Sequence, residues 1–416
     1  MKRSRFGAKF TRESGILRLM DDLGEAASAD APVLALGGGN PARIPEVESI
    51  FRKRVRTALD SGDELERLIG SYDAPRGNRE FIEALARLLR NQFGWNLADS
   101  NIALTSGSQT SFFFLFNLLA GRGEDGCRRR IFFPLAPEYI GYGDVGIEPD
   151  MFVSRRPEIE HIPPDLFKYH IDFGALSLGD DIAAICVSRP TNPTANVLTG
   201  EELSRLSELA RDRAIPLIVD NAYGTPFPDI IFNDAEPVWD ENVILTMSLS
   251  KLGLPGARTG IVIADEETIR AISTLNAIVS LAPGSFGAFL ALELVNSGEI
   301  LHVARRVLRP FYERKSRQAL DWVRESLKGL PYRVHVPEGT FFLWLWFEGM
   351  PISSQDLYER LKARNVLVVP GHHFFPGLDE DWRHRNECIR INYAGSDSDV
   401  RRGLDVIAEE IRAAFL

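Results

Sequence analysis

The chain has 416 residues, 44% of them apolar and 25% charged, enough for two ordinary domains of a soluble globular protein. Its net charge of -10 argues against a nucleic-acid-binding surface. The three cysteines, Cys127, Cys186 and Cys388, have no CxxC spacing, which suits a reduced cytoplasmic protein and neither a disulfide framework nor a zinc site.

The apolar runs 112–120 and 340–347 are far short of a membrane span. Lys2, Arg3, Arg5 and Lys9 make the start basic, but no apolar run follows, so no secretory signal is expected, and Glu13, Asp21 and Asp22 argue against a transit peptide. Residues 10–27 read as an amphipathic helix with Ile16, Leu17, Leu19, Met20 and Leu23 on one side. The run Pro32 to Leu36 leads into Gly37-Gly38-Gly39-Asn40-Pro41-Ala42. Its letters match a dinucleotide fingerprint, but Pro45 is expected to interrupt the next turn and no βαβ unit follows. The glycines are therefore read as letting backbone approach a ligand closely. A helix is expected over 49–59, a turn-rich loop over 70–77 and an amphipathic helix over 80–93.

A compact strand–turn–helix unit comes next: strand 101–105, turn Ser106-Gly107-Ser108-Gln109, buried helix 110–119. A Ser/Gly turn at a helix N-terminus offers free N–H groups and the positive dipole end, which suits a phosphate; an ordinary N-cap serine is the alternative. The later Gly141-Tyr142-Gly143-Asp144-Val145-Gly146 spells G-x-G-x-x-G, but no clean strand runs into it and no helix pattern follows.

Strands are then expected at 130–133, 182–188, 216–220 and 243–247, with helical stretches such as 201–213 between them. That alternation argues an α/β domain with a mostly parallel sheet. Asn192 follows one strand, Asp220 ends the next and Lys251 follows the third. Open α/β sheets bind ligands at the carboxyl ends of their strands, so these three groups should converge on one edge. Lys251 sits in Ser248-Leu249-Ser250-Lys251-Leu252-Gly253 after a buried strand. Burial disfavours the ammonium and frees the amine, which a Schiff-base lysine needs. Arg258, seven residues on, is placed to hold an anion, most simply a phosphate. The plainer alternative is a Lys and an Arg on an ordinary surface loop. After Gly298 the pattern changes to a long helix, 299–328, strands near 333–336, 339–346, 366–369 and 388–392, and a C-terminal helix, 398–415. A large domain over 45–297 and a small one built from 1–44 and 298–416 are expected.

With these elements in order, the chain resembles the fold-type I, pyridoxal-phosphate-dependent aminotransferases of class I/II from Gly37 to Tyr393. The likeness is carried by Gly39-Asn40-Pro41, Tyr72 with Pro75 and Gly77, Ser106-Gly107-Ser108, Tyr139 and Asn192-Pro193-Thr194. It continues through Asp220-Asn221-Ala222-Tyr223, Ser248-Leu249-Ser250-Lys251, Arg258 and Arg390-Ile391-Asn392. A closer likeness within the family rests on Phe133-Pro134-Leu135-Ala136-Pro137-Glu138-Tyr139-Ile140-Gly141-Tyr142 and Pro370-Gly371-His372-His373-Phe374-Phe375-Pro376-Gly377. One departure is Ala195, where the family usually has Gly after Asn-Pro-Thr; it puts local backbone geometry in doubt and removes no catalytic group.

The resemblance implies an α/β fold with helices on both faces of a mostly parallel sheet, a smaller α+β domain and pyridoxal phosphate as cofactor. Lys251 would hold the cofactor and shuttle the substrate proton. Asp220 would keep the pyridine nitrogen protonated. Tyr223 and Asn192 would bond the 3-oxygen, and Tyr139 would stack on the ring. Gly107, Ser108, Gln109, Ser248 and Arg258 would hold the phosphate, joined by Tyr72 of a neighbouring subunit, which makes the active site a property of a homodimer. Arg390, with Gly39 and Asn192, would take the substrate α-carboxylate. The plainer readings are an Asx turn for Asn192, a turn or cap for Asp220, core packing for Tyr139 and a surface salt bridge for Arg390.

Relatives acting on dicarboxylic substrates use a further arginine, and none stands between Arg270 and Arg305, where 276–283 is apolar and small. An aliphatic substrate is therefore expected, valine or alanine with pyruvate or 2-oxoisovalerate. His372-His373 has no carboxylate at helical spacing, so no metal is expected. Two alternatives share the motifs or the fold. One is a carbon–sulfur lyase. The other is the ligand-sensing domain of a transcription regulator, which would need a basic winged-helix domain ahead of residue 33.

Overall fold

The computed structural model describes residues 2–12, 14–28 and 33–416. Glu13 and Pro32, on which the first helix and first strand of the sequence reading partly rest, lie outside the described residues.

Two sheets organise the chain. The strands Ile182–Ser188, Leu217–Asp220 and Val243–Ser248 run parallel and side by side, with Arg128–Phe133 parallel beyond the first. Their sequences are continuous apolar runs, as strands covered on both faces require. Neighbouring residues within a strand join different clusters: Ile218 and Ile244 pack with Phe112, Phe116 and Tyr142 on one face, while Val219 and Leu245 pack with Leu104 and Met247 on the other. Gly260–Ile263 runs antiparallel between Val243–Ser248 and Ile102–Thr105. At four residues it is too short to stand out in the sequence.

The second sheet orders Val369–Pro370, Cys388–Asn392, Phe342–Trp346, Arg333–His335, Leu166–His170 and Glu158–Ile162. The last two strands come from the middle of the segment read from sequence as the large domain, yet Leu166–His170 pairs parallel with Arg333–His335. Pairing across that separation leaves no local signal in the sequence. Leu34–Ala35 lies parallel to Val366–Leu367, and Asn392 binds the Leu36 and Gly38 carbonyls at 2.7 Å each, which fastens the glycine cluster to the second sheet.

Three local expectations are corrected. Pro45 does not interrupt a helix; it begins one, Pro45–Asp60. At the first helical position its missing N–H would have had no partner, and its fixed φ suits the turn. The single helix over 10–27 is two, Arg5–Phe10 and Gly15–Ser28, with a break between. The long helix after Gly298 holds a wider π segment at Val303–Leu308 before Arg309–Ser326. A short helix, Glu64–Gly70, also precedes the Tyr72 loop.

Candidate active site

The three large-sheet strands end together, with Ser188 opposite Asp220 and Thr246 opposite Asp220 in register. Beyond this edge lies a cavity of about 620 Å³, open mouth included, within the usual range for small-molecule sites.

One end suits an anion. Gly107 has φ +93, and a methyl group there would overlap the Arg258 guanidinium. The Ser108–Leu119 helix begins directly after it and opens on the cavity through Ser108, so free N–H groups and the positive dipole end meet Arg258. Arg258 Nη1 is oriented by Ser250 Oγ at 3.3 Å and the Pro255 carbonyl at 3.4 Å. Ser248 and Gln109 line the same cavity.

The floor carries a buried carboxyl. Asp220 Oδ2 accepts from the Tyr142 hydroxyl at 2.5 Å and Oδ1 from the Ala222 N–H at 3.0 Å. Burial pushes the Asp220 carboxyl up, while those two hydrogen bonds and the Lys251 charge pull it down. Between floor and anion end, Lys251 Nζ donates to the Gly39 carbonyl at 2.8 Å and lies 5.1 Å from the Tyr223 ring centroid. Burial, reinforced by the charges of Arg390 and Arg258 and opposed by Asp220, brings the Lys251 amine down to about 7. A large share of it is then a free nucleophile near neutrality.

Arg390 stands mid-strand in Cys388–Asn392, opposite Trp344 and Val369. It is 2% exposed. Nη1 donates to Asn192 Oδ1 at 2.7 Å and Nη2 to the Gly37 carbonyl at 2.6 Å, while the buried Nε has no partner. Its charge lies over the Phe342 ring at 4.2 Å, and burial lowers its pKa to about 10. No carboxylate pairs with it among the described residues. A buried guanidinium held only by neutral acceptors is a costly arrangement unless an anion arrives.

Lys251, Asp220, Tyr223, Asn192, Tyr139, Ser108, Gln109, Ser248 and Arg258 thus line one cavity, and Gly107, Gly39 and Arg390 touch its lining residues. Tyr72 does not join them: it is 86% exposed. Nor does 276–283 line this cavity; Asn276 is buried against the Pro75 and Leu104 carbonyls, while Ile278, Val279 and Leu281 lie exposed. Ser188, Ala222, Ser250 and Tyr142 belong to the site and were not singled out from sequence. Ala222, Ser250 and Tyr142 lay inside quoted motifs, but the reach of the Tyr142 hydroxyl to Asp220 shows only in the fold.

The donor set matches pyridoxal phosphate part by part. The dianionic phosphate needs the N–H-rich cradle facing Arg258. The pyridine nitrogen needs a buried acid, which Asp220 is. The aldehyde needs an unprotonated amine between the two, which Lys251 supplies.

The chain matches the family described as aminotransferase class I and II over residues 48–407. It is 50% identical over 412 residues to the valine–pyruvate aminotransferase of Escherichia coli strain K12, covering 99% of this chain and 98% of that one. The crystal structure of valine–pyruvate aminotransferase from Salmonella typhimurium LT2 superposes with a TM-score of 0.89 at 48% identity, covering 96% of this chain and 99% of that one. An aspartate aminotransferase from Thermus thermophilus with maleate, 21% identical, shares the fold, with a TM-score of 0.77 over 99% of this chain and 100% of that one. From its own cavity and from these relatives alike, the chain belongs to the pyridoxal-phosphate-dependent aminotransferases of class I and II and is an aminotransferase.

Proposed function

We propose that this aminotransferase moves the amino group of valine onto pyruvate, giving 2-oxoisovalerate and alanine, as a cytoplasmic homodimer with shared active sites. The observation that carries the reading is the charge pattern around the cavity. Among the described residues Arg390 is a buried cation without an anion, fit for one α-carboxylate, and the cations in the cavity lining are Lys251 and Arg258. A second, distal carboxylate would enter without a partner, which costs several kcal/mol, whereas the methyl groups of valine gain about 0.8 kcal/mol per carbon buried. The names of the two relatives near 50% identity point the same way.

When bound, pyridoxal phosphate supplies the electron sink that makes the amino acid's Cα–H acidic. Gly107, Ser108, Gln109, Ser248 and Arg258 would hold its phosphate. Asp220 would hold the ring nitrogen, Asn192 and Tyr223 the 3-oxygen, and Tyr139 one ring face. Arg390, with Asn192 and the Gly39 backbone, would fix the substrate carboxylate and so aim the Cα–H at Lys251. With an amine near neutrality, Lys251 can take that proton as a general base and return it as a general acid.

An exposed apolar surface supports the homodimer. Tyr72 and Ile69 lie exposed before Pro75, and Asn276 Nδ2 binds the Pro75 carbonyl at 2.8 Å, which brings that loop beside exposed Ile278 and Val279. Such a face suits a second copy, whose cavity Tyr72 would complete. A cytoplasmic setting agrees with three free cysteines.

A panel of amino acids and 2-oxo acids tests the substrate reading. Valine with pyruvate is expected to exceed aspartate with pyruvate in kcat/KM by about 100-fold or more, the equivalent of roughly 3 kcal/mol. Equal efficiency would overturn the aliphatic assignment and leave the aminotransferase assignment standing.

A further inference from the structure

Behind the floor of the cavity sits a second carboxyl that the reaction as described does not use. Glu138 is 2% exposed and precedes Tyr139. Its Oε1 accepts the Ser188 N–H at 2.9 Å, and its Oε2 pairs with the Ser188 hydroxyl. Its own N–H donates to the Phe374 carbonyl at 2.8 Å. Ser188 ends its strand opposite Asp220 and lines the cavity. Ser188 thus holds the Glu138 carboxyl while its backbone stands beside that of Asp220.

The titratable groups that face Glu138 are Asp220 on the neighbouring strand, Cys186 on the strand of Ser188 and Tyr142 at the start of the short helix Tyr142–Val145. The Gly371–Phe374 turn contributes the Phe374 carbonyl, while His372 approaches Ser354 and its ring lies against His373. Among the described residues no cation pairs with Glu138. Lys251, by contrast, acts on Asp220, which also holds the Tyr142 hydroxyl and the Ala222 N–H. Burial disfavours charge on both carboxyls, and the charge of Asp220 further disfavours one on Glu138. Glu138 is supported only by neutral donors, the Ser188 hydroxyl and the Ser188 and Tyr139 N–H groups, whereas Asp220 has the Lys251 charge besides its two hydrogen bonds, so the proton belongs on Glu138. A serine hydroxyl accepts from a neutral acid as readily as it donates to a carboxylate, so the Glu138 site satisfies the acid form without rearrangement.

We propose that Glu138 is a positioning residue held as a neutral acid: its Oε2–H donates to Ser188 Oγ, turns the Ser188 hydroxyl hydrogen toward the cavity and leaves Asp220 as the one charged carboxylate of the floor. Burial, the largest influence on Glu138, pushes its carboxyl up to about 8. The proposal rests on the reading of Asp220 as the partner of the ring nitrogen only for its consequence in catalysis; the state of Glu138 is a property of the protein without cofactor.

Infrared spectroscopy of the apo-protein labelled with carboxyl-13C glutamate reads that state directly. Glutamate labelling excludes Asp144, Asp220 and Asp229, whose carboxyls burial also raises, and Glu138 is the one glutamate raised among the described residues. A neutral-acid carbonyl band is expected at pH 7, fading as pH rises through about 8, and missing from Glu138→Gln. Because Gln reproduces the hydrogen bonds of the neutral acid, this variant is expected to keep its affinity for pyridoxal phosphate to less than about tenfold, one pKa unit in equivalent terms. Its holoenzyme absorbance should also lose any titration step near that pH. No band at pH 7 in the wild type overturns the proposal even where Glu138→Gln fails to fold. A band that persists in Glu138→Gln, or a larger loss of affinity in that variant, overturns it as well. Failure of the Asp220 reading would show instead as an unperturbed Asp220→Asn holoenzyme, with the infrared band unaffected.

Discussion

Arg390 Nη1 donates to Asn192 Oδ1 at 2.7 Å, and this bond ties a strand of the second sheet to the loop that follows a strand of the first. The amide oxygen orients the guanidinium without neutralising it, so the charge stays available to an incoming carboxylate. Arg390→Ala is expected to lower kcat/KM by roughly 2–5 kcal/mol for every substrate alike, the usual range for truncating one partner of a buried charge pair. Steady-state kinetics with valine, alanine and pyruvate check this, and a loss confined to one of them would contradict a shared carboxylate site.

Asp220 and its donor Tyr142 separate by magnitude. Asp220→Asn is expected to keep the cofactor and lose about 10²–10⁴-fold in the single-turnover half-reaction, the range for a positioned acid–base or electrostatic group. Tyr142→Phe removes only a hydrogen bond that holds the Asp220 carboxyl down. It should lose less and shift the acid limb of the rate profile to higher pH. An acid limb that stays in place would mean that the Tyr142 hydroxyl does not tune Asp220.

Lys251 makes the apo-protein's stability depend on pH. Its folded-state pKa is lowered to about 7 from 10.5, so between those values the unfolded chain binds more protons than the native one. Stability contributed by this site therefore rises with pH across that window, and the full penalty of burying the ammonium is present below it. Denaturant titrations should show Lys251→Met more stable than wild type below about pH 7 and less dependent on pH above it. For the same reason, cofactor uptake by the apo-protein is expected to quicken as pH rises to about 7 and then level off. Uptake that keeps accelerating up to pH 10.5 would mean an ordinary lysine.

Ala195 adopts φ +63 and is fully buried, with its N–H donating to the Thr191 carbonyl at 2.8 Å. The left-handed conformation costs an L-residue about 1 kcal/mol, which glycine avoids, although glycine also loosens the unfolded chain. Ala195→Gly should be stabilising by at most about 1 kcal/mol, read as a higher denaturant midpoint at unchanged slope. A lower midpoint would show that the methyl group's packing outweighs the strain.

Lys251, Asp220 and the Ser106–Gln109 turn were legible in the sequence because each belongs to a short stretch in which an apolar run stops and a polar group follows. That is a local property, and strand ends converge by the geometry of a parallel sheet. The family and the cofactor followed from such stretches in order. Other features depended on what surrounds a residue after folding. Pro45 has the same letters whether it breaks a helix or starts one, and packing of Val47 and Phe51 into the core decided for starting. Glu158–Ile162 and Leu166–His170 found their partner strand near residue 334, across a separation that no periodicity records. Tyr72 and Ile278 lie exposed, which no apolar count foretells. That, among the described residues, Arg390 has no anion and Glu138 no cation is a fact about missing neighbours, and a chain reveals its missing neighbours only once desolvation and long-range packing have chosen the ones it has.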